Sequence, residues 1–313
     1  MPARVHLLRG PARIEYNDVV FYSAGDVRLD LRLRTREARV AELGPLEFWM
    51  DDVDLTVTFQ PAAAWSADLL AVLYPYGGAL PGQSLFAGDD QPFKILSPDG
   101  VQLTLQAAAL TQMPALRLAG GRPAFGEATF RALTAAGGAR SASDALYQVT
   151  TATWPAPNFD RTQLVAGPVS ASWGSAAPWN ALQTVDGFLL EFPLKLREET
   201  IDDVGITDLG VIEVGARAQF MPAGPTAEAL LDAAQVQGAG ADRGASLFPN
   251  AANLVLQGAT GGPLVTLAAA ALVDDVPLAW SAQAPRLGRV TLAAQRPLTA
   301  GGAQPLFSVG VAS

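Results

Sequence analysis

Apolar and polar residues alternate strictly at Val27, Leu29, Leu31 and Leu33 against Arg28, Asp30, Arg32 and Arg34. A period of two marks a strand with one buried face. The alternation returns at Val53, Leu55, Val57 and Phe59 against Asp52, Asp54, Thr56 and Thr58. Between the two runs, Thr35 to Gly44 is charged and loses the period, which predicts a long exposed loop or hairpin tip. Upstream, Arg13–Tyr16 and Val19–Tyr22 flank Asn17-Asp18, a hairpin turn signal. Downstream, Trp65, Leu69, Leu70 and Leu73 have helical spacing and predict one amphipathic helix over Ala62 to Leu73, with Pro61 at its opening. Phe93–Leu96 and Val101–Ala107 then read as strands around the turn Ser97-Pro98-Asp99-Gly100. Leu116–Leu118 and Ala128–Leu133 read as closing strands.

The whole pattern occurs twice. Subtracting 161 carries Asp186 to Gly205 onto Gly25 to Gly44, with Leu190 on Leu29, Leu194 on Leu33, Glu198 on Glu37 and Ile201 on Val40. Phe220-Met221-Pro222 falls on Phe59-Gln60-Pro61. At an offset of 162, Ser246-Leu247-Phe248 falls on Ser84-Leu85-Phe86, and Gly288 and Thr291 fall on Gly126 and Thr129. A period this long describes a duplicated domain rather than a solenoid repeat. In the second copy, strand faces appear at Leu190, Phe192, Leu194, Leu196 and at Ile212, Val214, Ala216, Ala218, Phe220, followed by a helix around Thr226 to Ala234. The expectation is a mainly β protein of two tandem sandwich or barrel domains, each with one flanking helix. Domain one spans 1–140, a connecting segment 141–165 and domain two 166–313. Tyr147 to Ala152, inside the connection, has strand character.

Composition narrows the function classes. Half the residues are hydrophobic and 16% are charged, so each half can bury a core. Thirty glycines and 23 prolines favour short strands joined by turns. A net charge of −9 argues against a surface that grips nucleic acid, though not against one past which DNA slides. With no cysteine, disulfides and thiolate metal sites are excluded. Neither a signal peptide nor a membrane span is apparent, the longest apolar stretch, Gly262 to Val273, being too short to cross a bilayer.

No constellation for catalysis emerges. His6 is the only histidine and has no evident partner for acid–base work. The pairs Asp51-Asp52, Asp89-Asp90, Asp202-Asp203 and Asp274-Asp275 lack EF-hand spacing and read as solvated turns. Gly238-Ala239-Gly240 with Gly244 follows a helix, where a nucleotide loop would follow a strand. Six scattered tryptophans fit packing better than a base-stacking platform. No cofactor or metal is expected, and the chain reads as a non-enzyme.

Copy one resembles the major tail tube proteins of bacteriophages with long non-contractile tails. The phrases that carry the likeness are Gly10-Pro11-Ala12-Arg13-Ile14, Phe21-Tyr22-Ser23-Ala24-Gly25-Asp26-Val27 and Val57-Thr58-Phe59-Gln60-Pro61. Further on come Leu73-Tyr74-Pro75-Tyr76, Gly82-Gln83-Ser84-Leu85-Phe86 and Phe125-Gly126-Glu127-Ala128-Thr129-Phe130. The likeness covers roughly residues 10 to 135, and 167 to 297 through the repeat. It implies small β-sandwiches whose inner sheets join around a ring, with a long loop reaching the neighbouring ring. Thr35 to Asp51 and Arg197 to Gly210 occupy that place, with Arg36, Glu37, Arg39, Glu42, Glu198, Glu199, Asp202 and Asp203 as candidate inter-ring residues. A chain with two such domains would close the ring as a trimer with pseudo-sixfold symmetry.

The implied partners are further copies of the chain, other tail proteins at the tube ends and viral DNA in transit, with no membrane. The implied location is the virion tail, assembled in the bacterial host cytoplasm. Asp54, Thr56 and Thr58 in copy one, with Gly215, Arg217 and Gln219 in copy two, are the candidate lumen-facing residues of a net-negative wall. The alternatives are another ring-forming tail part (a distal tail, terminator or connector protein) and a carbohydrate-binding β-sandwich.

Overall fold

In the computed structural model the described residues are 4–8, 10–40, 44–62, 64–85, 92–119, 122–133, 146–155, 169–175, 179–201, 205–230, 251–273, 278–280, 285–299 and 302–313. The protein is mainly β, as the alternation predicts. The first half of the chain builds a sandwich of two sheets. The first runs Arg4–Leu8, Val27–Val40, Gly44–Phe59, Ala128–Ala132, Ala108–Gln112. The second runs Tyr147–Thr151, Val101–Leu105, Phe93–Leu96, Arg13–Tyr16, Val19–Tyr22. Leu55, Val57 and Phe59 are buried between them. Phe93 lies 4.5 Å from Phe130 and 6.1 Å from Phe59, centroid to centroid, so aromatic rings from both sheets meet in the core.

Local chemistry explains the turns. Asn17 and Asp18 both hold positive φ, 52° and 59°, the type I′ geometry that matches the twist of a two-residue hairpin. The turn after Phe93–Leu96 closes through Gly100 N donating to Ser97 O at 3.0 Å. The helix is shorter than its apolar spacing suggests. It spans Ala67–Leu73 and begins at Ser66, whose Oγ accepts from Leu69 N at 3.3 Å. Pro61 lies outside it, in a bridge to Ser23. In the second half the chain is helical over 224–230, and the rest of the predicted Thr226 to Ala234 helix lies outside the described residues.

Two further points concern pairing. Of the two options for the charged stretch, loop or hairpin tip, the structure has the hairpin: Val27–Val40 and Gly44–Phe59 stay paired from Arg28↔Thr58 out to Val40↔Gly44, forming one long arm through Thr35 to Asp51. Because both faces of the arm's outer half meet solvent, it needs no apolar period, and the sequence there gives no strand signal. Tyr147–Thr151, read as part of the connection, pairs with Val101–Leu105 and forms an edge of the first half's sandwich. The Ala135 to Ser143 stretch lies outside the described residues.

The second half contributes most of a nine-stranded sheet. Its path is Arg122–Phe125, Leu116–Ala119, Thr184–Glu191, Arg217–Pro222, Val290–Ala293, Pro263–Val273, Ala252–Gln257, Ser170–Trp173, with Phe307–Val311 also paired on Pro263–Val273. The long strand Pro263–Val273 pairs with Ala252–Gln257 and Phe307–Val311 along its first part and with Val290–Ala293 at its end, and holds φ 40° at Ala269, where the Asn253 side chain accepts from the Ala269 amide at 2.9 Å. The first two strands of this sheet belong to the first half, so the sheet runs across the join.

Candidate functional site

The candidate surface is built by the arms, the polar faces beside them and the seam between halves. Strand registers in the two halves coincide. Leu29↔Val57 in the first becomes Leu190↔Ala218 in the second on adding 161. Phe59↔Ala128 becomes Phe220↔Val290, with 162 for the second member. In the arms, Leu33↔Val53 corresponds to Leu194↔Val214 and Val40↔Gly44 to Ile201↔Gly205. Even the irregularities agree: bulges fall between Arg34/Thr35 and Ala38/Arg39 in one arm, and between Lys195/Leu196 and Glu199/Thr200 in the other.

The arms differ in what covers them. In the second half, Pro193 interrupts the strand where the first half has Arg32, because proline has no amide hydrogen for the ladder. Gly215 N donates instead to Pro193 O at 2.8 Å, and Leu194–Ile201 with Gly205–Val214 becomes a separate two-stranded arm. That arm lies on the first half. Leu85 N donates to Leu209 O and Val211 N to Gln83 O, both at 2.9 Å, so Gln83 to Leu85 adds to the arm's edge as a short strand. Ile206 and Leu209 are buried with Ala107, Ala109 and Leu133. The first arm, by contrast, exposes Leu46 at 58%, Phe48 at 66% and Trp49 at 48%.

Of the candidate lumen residues, Asp54, Thr56 and Thr58 share one half-exposed face opposite buried Leu55, Val57 and Phe59. Thr58 Oγ1 lies 3.1 Å from Thr129 Oγ1. Arg131 Nε donates to Asp54 Oδ1 at 2.8 Å, and its Nη1 reaches Glu198 Oε1 on the docked arm at 2.5 Å. Burial alone would lower the Arg131 pKa, but the hydrogen bonds it donates to Glu198 and Asp54 outweigh it and hold the guanidinium above its ordinary value. A cleft of about 410 Å³ opens here between this face and the arm. Arg32, Arg34 and Arg131 line it together with Asp54 and Glu198, and Arg28, on the strand of Arg32, is ion-paired with Asp30 at 2.7 Å. In the second half, Gln219 Nε2 donates to Glu191 Oε2 at 3.4 Å, Arg217 is exposed, and Gly215 sits in the strand interruption rather than on the polar face.

Among the inter-ring candidates, Arg36, Glu37, Arg39, Glu198 and Glu199 are exposed on the arms. Arg39 pairs with Glu37 at 3.4 Å and Arg197 with Glu199 at 2.5 Å. Glu42, Asp202 and Asp203 lie outside the described residues. The structure brings Glu198, and not its register equivalent Glu37, onto the other half.

The seam has no signal in the sequence. Leu116–Ala119 pairs with Thr184–Glu191 through Leu116↔Leu190, Arg117↔Leu189 and Leu118↔Phe188. A bulge at Gly187, φ 77°, lets the chains approach so closely that a Cβ there would meet Leu118 O at 2.0 Å. Trp65 reinforces the join from the other side, stacked on Phe125 at 5.7 Å and donating through Nε1 to Gly310 O at 3.1 Å. Arg296 adds a donation from Nη2 to Ala79 O at 2.7 Å.

Among the described residues no cluster of three or more His, Cys, Asp or Glu side chains has the geometry to hold a metal. No described helix is long and apolar enough to cross a membrane. Compared with models of known protein families and with curated proteins, the chain matched none.

Proposed function

We propose that the chain is a tail tube subunit of a bacteriophage with a long non-contractile tail, a tandem duplication whose halves act as two quasi-equivalent units of a ring. Three chains then supply six units with pseudo-sixfold symmetry, and stacked rings enclose a channel for DNA. Its partners are further copies of itself and, at the tube ends, other tail proteins. Its place is the virion tail after assembly in the host cytoplasm.

The observation that supports this best is the seam. Two units with the same strand order and register meet through unlike surfaces, a hairpin of one adding to a sheet edge of the other. A contact between unlike surfaces of like units is heterologous, and repeated it closes a ring or runs into a filament. Closure also removes the exposed edges that a free sandwich must otherwise guard. On the polar face, Arg28 and Arg131 are already engaged by Asp30, Asp54 and Glu198. Cations held this way, on a chain of net charge −9, release few counterions from passing DNA, so it moves without adhering.

Electron microscopy of the purified chain tests the reading. Stacked hollow rings with threefold symmetry are the expected result. Single rings that never stack mark a tail-end component instead, and a strictly monomeric mass by light scattering at every concentration and salt overturns both.

A further inference from the structure

The internal seam has a counterpart with one half missing. Adding 162 to Leu116–Ala119 and Arg122–Phe125 gives the hairpin Leu278–Trp280 with Pro285–Leu287, and the registers agree, Leu116↔Phe125 against Leu278↔Leu287. The first hairpin is spent on the edge of Thr184–Glu191. The second pairs with no other strand among the described residues. The edge it would need is the first half's equivalent of Phe188 to Leu190, namely Val27 to Leu29. That edge is occupied by Arg4–Leu8, antiparallel, with Leu8↔Val27, Leu7↔Arg28 and His6↔Leu29.

We propose that Arg4–Leu8 is a placeholder strand. In the free chain it covers the edge on which the strand Leu278–Trp280 of a second copy adds, and it leaves when that copy arrives. The incoming strand has the same direction and the same residues to meet: Leu278 against Leu29, Ala279 against Arg28 and Trp280 against Val27. Exchange of one strand for another conserves backbone hydrogen bonds, so the covered edge stays protected from indiscriminate pairing until a matching hairpin competes for it. Among the described strands the placeholder pairs with Val27–Val40 alone, at the end of its sheet, and Leu8 rests partly buried against the core. The chain is tied down again from Gly10, whose amide donates to Asp26 Oδ1 at 2.9 Å, so displacement need not disturb the sandwich. This inference rests on the ring reading above and assigns the contact that joins one chain to the next.

The natural chain has no cysteine, so engineered disulfides report on it without background. Leu7→Cys with Arg28→Cys locks the placeholder within one chain. Oxidised, this variant is expected to lose ring formation, and reduction is expected to restore it; oxidised protein that assembles as fully as reduced protein overturns the proposal. Arg28→Cys with Ala279→Cys probes the incoming strand. Oxidation of the assembled variant is expected to give a ladder of covalent dimers and trimers on a non-reducing gel. Rings without a ladder overturn the placeholder and leave the ring reading standing. A ladder without rings upholds the exchange and overturns ring closure, while wild-type protein that yields neither rings nor any mass above the monomer overturns both.

Discussion

Phe48 and Leu209 hold the same register position on the two arms, Phe48 opposite Glu37 and Leu209 opposite Glu198, yet Leu209 is 1% exposed and Phe48 66%. What covers Leu209 is the other half of its own chain. Phe48 has no such cover in a single chain, and a second chain would supply it. Leu209→Ala is therefore expected to lower stability by about 2–5 kcal/mol, the range for truncating a fully buried leucine. Phe48→Asp is expected to leave the melting temperature of the monomer nearly unchanged while abolishing assembly. Calorimetry and light scattering on the two variants check this, and a Phe48→Asp chain that still assembles removes the first arm from the interface.

Arg131 links the polar face to the docked arm through Asp54 and Glu198. Its side chain is 15% exposed and that of Asp54 20%, so Arg131→Met leaves a largely covered carboxylate without its guanidinium partner. A loss of about 2 kcal/mol is expected, as for hydrogen bonds to charged groups. Glu198→Gln should cost no more than about 1 kcal/mol because that partner faces solvent. A double-mutant cycle by denaturant unfolding gives the coupling, and additive losses would mean the 2.5 Å contact does not operate in solution.

Gly187 governs the seam. Gly187→Ala adds a Cβ that overlaps Leu118 O at 2.0 Å, in a backbone conformation that already disfavours a side chain. Gly261→Ala is the control, since its φ of 79° is similar but nothing lies within 4 Å of the added Cβ. The control is expected to cost about 1–2 kcal/mol, the strain of a left-handed residue alone. Gly187→Ala should cost more and should raise amide exchange at Leu116 to Leu118 and Phe188 to Leu190. Equal losses in the two variants, with unchanged exchange, would show that the halves do not meet there.

What the chain reveals before folding follows from which interactions are local. Val27 to Leu33 and Val53 to Phe59 announce themselves because one face of each strand enters a core, and Asn17-Asp18 because two successive left-handed residues suit few other side chains. The outer arm is silent because a ribbon solvated on both faces imposes no period on Thr35 to Asp51. The helix opens at Ser66 and not at Pro61 because both are good openings and only the hydrogen bond from Leu69 N to Ser66 Oγ selects one. The seam was invisible for a different reason. Leu116 to Leu118 and Phe188 to Leu190 are each a plain strand locally, and nothing in either says that its edge belongs to the other half. Pro193 stands where the first half has Arg32, and its effect, freeing the second arm from the sheet, depends on the ladder it interrupts.

Tyr16 makes stability depend on alkaline pH. Its ring packs on Phe130 at 5.1 Å, and its hydroxyl donates to Ala108 O at 3.0 Å, tying the second sheet to the first across the core. Burial pushes its pKa up from the ordinary 10.0 to about 12, since a phenolate there would lose hydration. Folding thus favours the protonated form. The contribution is fully present below the unfolded value of 10.0 and is lost as pH rises toward the folded value near 12. Tyr16→Phe removes that titration along with the hydrogen bond to Ala108. At pH 7 the variant is expected to be less stable by about 1 kcal/mol, the net worth of one such bond. Between pH 10 and 12 the gap should close or reverse, because the phenylalanine has no proton to lose. Urea unfolding at a series of pH values follows it, and a stability difference that stays constant across that window would show that the Tyr16 hydroxyl titrates as freely in the folded chain as in the unfolded one.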